Sequence, residues 1–264
     1  MNPNNQYHLK IEIKELAKTY EYYSDYSHPI KTPEIDSIFY VKRGKGQPVM
    51  MYVDTHSPDN KKLYYRWSYS EDWEVNATVY LEGYPFYCWG SSKNDNLLLG
   101  SAERTVYGQL ADVLTEIDPA DMRFSELYRI IVKQNVVSKR AYDYYLNIKK
   151  NVENMGSIFA PIPSELRGNI TCITDPKIPV IGYIDVSSTT QKRRYIQRYT
   201  ANIYEPPPPP LVDCEVVSLA GGMDPAMVDG YILFDKATYT WIQRYCVDCR
   251  VLGGATQKPD DWPR

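Results

Sequence analysis

Apolar and polar residues alternate over most of this chain, and that period of two predicts strands. The alternation runs through "QYHLKIEI" (6–13), from Ile35 to Val41, through "PVMMYVDTH" (48–56) and through "KLYYRWSYSEDWEVNATVYL" (62–81). In the last run, Trp67, Tyr69, Glu71, Trp73 and Val75 share one face, and Arg66, Ser68, Ser70, Asp72, Glu74 and Asn76 share the other. Glu71 thus stands in a row of aromatic residues. An inward carboxylate requires a basic or hydroxyl partner, and Arg193 in "QKRR" is the expected one.

"ELYRIIVKQNVV" (126–137) predicts a long strand running into the clearest helix of the sequence. Ser138 is its N-cap, and Ala141, Tyr144, Tyr145, Ile148, Val152 and Met155 follow at helical spacing. The helix is expected over 139–155, packed on a sheet through Tyr145, Ile148 and Val152 and ended by Gly156 in a left-handed conformation. "IPVIGYIDVSS" and "RRYIQRYT" predict two further strands, and "EPPPPP" (205–210) a stiff polyproline spacer. The fold class implied is mainly β: a β-sandwich body, immunoglobulin- or fibronectin-like, with one main amphipathic helix and a disulfide-stapled C-terminal tail. Residues 1–32 read as the remnant of a truncated N-terminal β-domain. Residues 33–205 read as the sandwich, and 206–264 as a Pro-rich linker with a Cys-containing tail.

Composition narrows the function. Lys and Arg number 30 against 33 Asp and Glu, a formal charge of -3, which argues against a nucleic-acid partner. The basic run "QKRRYIQR" (191–198) reads as one solvated strand face. No stretch approaches the roughly 18–20 apolar residues of a membrane helix, and no signal peptide is visible. A strand pattern begins within a few residues of Met1, which reads as a cut inside a longer protein. Tyrosine is the outlier, 25 against 5 Phe; half-buried sheet positions explain most of these rings without any ligand, and a ligand- or partner-binding face is the alternative reading.

Catalytic motifs are missing from the sequence. The three histidines, His8, His28 and His56, form no metal or hydrolase signature, and "LAGGMDPAM" makes no phosphate loop. Glu71 faces away from Asp72 and Glu74 on one strand, so the three do not surround one bond. The expectation is a protein that is not an enzyme and uses no cofactor or metal.

The five cysteines are Cys88, Cys172, Cys214, Cys246 and Cys249. A structural zinc site wants a second close pair of ligands, and a thioredoxin-type motif wants a strand-to-helix turn; "CVDC" has neither. Disulfides remain, and with them an oxidising compartment. Cys214 is expected to bond to Cys246 or Cys249, with Cys88 and Cys172 either a second pair or both free.

With these segments in place, the chain resembles the Bacteroidota outer-membrane lipoproteins that carry the domain of unknown function 4249. The resemblance rests on "PEIDSIFYV", "YYRWSYSEDWEV", Cys88–Trp89, "YRIIVKQNVVSKRAYDYYLNIKKNVENMGSIFAPIPSELRGNI", "PVIGYIDVSSTTQKRRYI" and the closing "CVDCRVLGGATQKPDDW". It implies a lipid anchor in the full-length protein, a cell-surface or periplasm-facing place at the outer membrane, and a neighbouring TonB-dependent receptor as partner. The function expected on that basis is non-enzymatic assistance to nutrient uptake, by binding a small-molecule, glycan or peptide ligand or by contacting the receptor. A surface adhesion or assembly module is the alternative. The loops from Tyr84 to Glu103, Tyr84 and Tyr87 above all, are the expected docking surface.

Overall fold

Two antiparallel sheets face each other across one apolar core. The computed structural model describes residues 2–57, 61–154, 167–203, 205, 214–218 and 230–263. In chain order the strands are β1 (Lys10–Lys14), β2 (Thr19–Ser24), β3 (Ile35–Lys42), β4 (Val49–Thr55), β5 (Tyr64–Asn76), β6 (Tyr87–Lys93) and β7 (Leu98–Ser101). They continue with β8 (Leu110–Ile117), β9 (Leu127–Val137), β10 (Ile170–Cys172), β11 (Thr189–Gln197), β12 (Val217–Ser218), β13 (Tyr231–Asp235) and β14 (Thr240–Gln243). Helix α1 spans Lys139–Asn154, and the single turn α2 spans Arg198–Ala201. The larger sheet has the order β11-β9-β5-β6, with β7 also on β5; the smaller facing sheet is β3-β4-β8.

The alternation explains this pairing. Tyr65 and Trp67 of β5, Tyr128, Ile130, Val132 and Val136 of β9, and Ile196 of β11 are buried against Ile35, Ile38, Val49, Met51, Val53, Leu114 and Ile117 of the other sheet. Trp67 donates its indole N–H to Gln134 Oε1 at 2.8 Å, and Gln134 Nε2 donates to Thr55 Oγ1 at 3.1 Å and to the Pro33 carbonyl at 3.0 Å. The fully buried amide is thereby satisfied and links the two sheets. Gly90 lies directly under Trp73, where a Cβ would stand 2.2 Å from the indole. That close approach is what admits Trp73 to the core.

Two further small sheets flank the body, β1-β2-β10 and β12-β14-β13. Cys172 of β10 stands opposite Tyr22 of β2, which ties the first strands to residues far along the chain. Thr32 is itself buried, taking a hydrogen bond from Val136 N and giving its own amide to Ser188 Oγ. The hydrogen bonding is therefore continuous across the position read as a boundary. The C-terminal segment is likewise packed against the body: Thr78 N and Val79 N donate to the Cys246 carbonyl, and Ala255 bridges Trp89.

Helix α1 starts where expected, with Ser138 Oγ accepting from Ala141 N at 3.1 Å. Its buried residues are Ala141 and Tyr144, while Tyr145 is half-buried and donates its hydroxyl to the Tyr183 carbonyl. Ile148 is half-buried, but Val152 is 57 % exposed and is not a packing residue. Contacts with β5 come from the first turns, Tyr142 on Tyr64 and Tyr145 on Arg66. The expected stop at Gly156 lies outside the described residues.

Candidate binding groove

Residues whose side chains leave the core side of the larger sheet line its outer face. Two neighbouring rows cross it: Ser91, Asp72, Arg129 and Tyr195 in register, and one step along, Lys93, Ser70, Ile131 and Arg193. The C-terminal segment lies over the first row. Trp262 is buried there, its indole N–H donating to Glu74 Oε2 at 3.1 Å and its ring 5.2 Å from the Arg129 guanidinium. Arg129 pairs with Asp72 Oδ2 at 2.7 Å and donates to the Asp260 carbonyl at 3.0 Å. The second row stays uncovered. Between it and the segment 259–261 runs an open groove of about 890 Å³, lined mostly by polar and charged residues together with Ile131 and Pro259. Asp261 turns the chain at φ 58°, a left-handed conformation that Asp tolerates better than most residues, and so holds the wall in place.

Glu71 is buried, as its row of aromatics demands, but Arg193 is not its partner. Arg123 Nη1 approaches at 3.2 Å, and the Ser92 and Tyr128 hydroxyls donate at 2.8 and 2.5 Å. Register gives the reason. Glu71 is level with Ile130, which is level with Arg194, whereas Arg193 belongs with Ser70 and Ile131 on the opposite face. Burial first, and then the Glu71 carboxylate, push the Tyr128 phenol well above its ordinary range, so it stays a proton donor. Arg123 sits in a short turn after β8 that carries no periodic signal, which is why pattern alone missed it.

The disulfides are Cys88–Cys249 and Cys214–Cys246, and Cys172 is a free, buried thiol. Cys88 therefore pairs with the C-terminal segment and not with Cys172, which sits in a different sheet beside Tyr22. Each cysteine of "CVDC" belongs to a different bridge. Between them Asp248 is fully buried, bound by Arg250 at 2.8 Å and Arg244 at 3.2 Å. The hydrogen bond from Arg250 is the main cause that holds its carboxyl at about 2, below the ordinary 3.8. A depressed carboxylate stabilises the fold fully above its unfolded value and loses that contribution as pH falls toward the folded one. The melting temperature of the wild type is expected to fall between pH 4 and about 2 more steeply than that of Asp248→Asn; parallel profiles in a thermal scan across that window count against this role.

Tyr87 is 58 % exposed and Tyr80 72 % exposed, flanking Phe86 with ring centroids 4.9 and 6.4 Å away. Tyr84 is different. It follows the turn at Gly83, φ 89°, is half-buried and packs against the cluster of Ile242, Cys246 and Val247. The aromatic patch of this loop is Tyr80, Phe86 and Tyr87.

Geometry of this kind defines a mainly β, disulfide-cross-linked protein with an open groove on one sheet face and a separate exposed aromatic loop. The family described as Domain of unknown function (DUF4249) matches residues 1–193, and the chain belongs to it. The match includes the first 32 residues and stops within β11, before the two-disulfide segment. No curated protein and no solved structure matches the chain.

Proposed function

We propose that this protein is a non-enzymatic binding component of a bacterial outer membrane, lipid-anchored in its full-length form and accessory to a TonB-dependent uptake receptor. The observations that carry the reading are the open groove on the outer sheet face and, at the other end of β6, the exposed aromatic loop, in a protein cross-linked by two disulfides. Disulfides of this kind persist in oxidising compartments. Concave polar surfaces with fixed walls bind ligands, and exposed aromatic clusters dock on partners. The groove's paired charges, Asp72 and the buried Arg129, neutralise each other and hold the wall, which suits positioning and not proton transfer. The test is co-purification of the full-length protein with the receptor from its own outer membrane. Tyr80→Ser with Tyr87→Ser is expected to reduce recovery at least severalfold with the fold intact by circular dichroism. Unchanged recovery rejects the aromatic loop as the docking surface; absence of any receptor with the wild type leaves the adhesion reading ahead.

A further inference from the structure

We propose that the groove on the outer sheet face takes a short zwitterionic peptide, of about two to three residues, with its ammonium at the Asp260–Asp261 wall and its carboxylate at Arg193. The inference rests on the binding reading above and names the ligand class of that site. The two walls differ in charge. Asp260 and Asp261 are exposed on one side, held over the row of Asp72, Arg129 and Tyr195 by the Arg129 and Tyr195 hydrogen bonds to their carbonyls. Their carboxylates form no ion pair among the described residues.

Arg193 is on the next row, exposed and without an ion pair among the described residues. At roughly 3.4 Å per residue, it stands about 7 Å along β11 from Tyr195. Lys93 closes the same row three strands away, about 14 Å off at the usual spacing, but Asp95 lines the groove at that end. Lys192 also lines the groove, but its ammonium donates to the Ile35 and Asp36 carbonyls; Arg193 is the cation nearest the acidic wall for an anionic group, and its planar fork suits a carboxylate.

The wall is held over Tyr195, and Arg193 lies two positions along β11, about 7 Å at the Cα atoms, a step that a di- or tripeptide, extending about 3.3–3.6 Å per residue, spans. Beside Arg193 in the same row, Ile131 offers a small apolar surface and Ser70 a hydroxyl, a floor for a backbone and a short side chain. No aromatic ring lines the groove among the described residues, which disfavours a glycan, whose rings stack on such platforms.

Isothermal titration calorimetry of the purified chain with tri-alanine tests the proposal, alongside N-acetyl-tri-alanine, tri-alanine amide and maltotriose. Tri-alanine is expected to bind, and capping either end to weaken it about tenfold or more. Arg193→Gln weakens tri-alanine equally but leaves the amide unchanged. Asp260→Asn with Asp261→Asn weakens tri-alanine but leaves the acetylated peptide unchanged, and Asn keeps the left-handed turn. These residues are exposed, and circular dichroism verifies the fold of each variant. No binding of tri-alanine, or equal binding of the capped peptides, overturns the proposal. Binding of maltotriose sensitive to the same substitutions overturns it in favour of a glycan site. Failure here with receptor co-purification intact removes the peptide and leaves the receptor association standing.

Discussion

Replacing Cys88 and Cys249 together by alanine is expected to cost about 5 kcal/mol of stability, the largest single effect in this protein. The bridge joins positions 161 residues apart, and loop-closure entropy in the unfolded chain grows with the logarithm of that separation. The bridge between Cys214 and Cys246 closes 32 residues and is expected to contribute about 4 kcal/mol on the same account. The location separates the two more sharply than the magnitudes do. Cys88 lies on β6, beside the Trp89–Ala255 bridge, so its loss frees the segment that carries Asp260, Asp261 and Trp262. Hydrogen exchange at Ala255 N, bonded to the Trp89 carbonyl, is expected to accelerate in the Cys88/Cys249 variant and not in the Cys214/Cys246 variant. Urea unfolding gives the energies. Equal exchange rates in both variants would show that the segment is held by its own packing.

Arg123→Ala is expected to destabilise the protein by about 3–5 kcal/mol, because it leaves the Glu71 carboxylate buried without its cation. Glu71 is 3 % exposed and keeps only the Tyr128 and Ser92 hydroxyls in that variant. Arg123 retains some contact with water, at 21 % exposed, which places the expected loss toward the lower end. Arg193→Ala, the partner suggested by pattern alone, is expected to change stability by less than about 0.5 kcal/mol, since it lies exposed on the opposite face. Chemical denaturation of the two variants decides the matter. A loss at Arg193 comparable with that at Arg123 would contradict the register of β9 and β11.

The alternating pattern was enough to read the mainly β character, both faces of β5, the burial of Glu71 and the start of α1 at Ser138. Each of these follows from local geometry: a period of two assigns a face, and a cap residue marks a helix start. Packing of Val152 was misread because helical spacing says which residues share a side of the helix. It does not say how far along the helix the supporting strand reaches. Tyr84, just after a left-handed turn at Gly83, is half-buried while Tyr80 and Tyr87 are exposed, a difference that no local period encodes.

What the amino-acid sequence determined by itself is the mainly β class, strands β1, β3, β4, β5, β9 and β11, the inward carboxylate and the presence of cross-linking thiols, all properties of single segments. The run "IPVIGYIDVSS" (178–188) makes only an isolated bridge at Ser187, and β8 and β12–β14 were not legible as strands. The tertiary structure alone decided the partners: Arg123 for Glu71, Cys249 for Cys88, and the C-terminal Trp262 over Arg129 and Glu74. These pairings span 52, 161 and 188 residues for Glu71–Arg123, Cys88–Cys249 and Glu74–Trp262. Over such separations the choice among candidates depends on strand order and register, which long-range pairing fixes and no local period encodes. The groove exists for the same reason, because its floor comes from the middle of the chain and its acidic wall from the end.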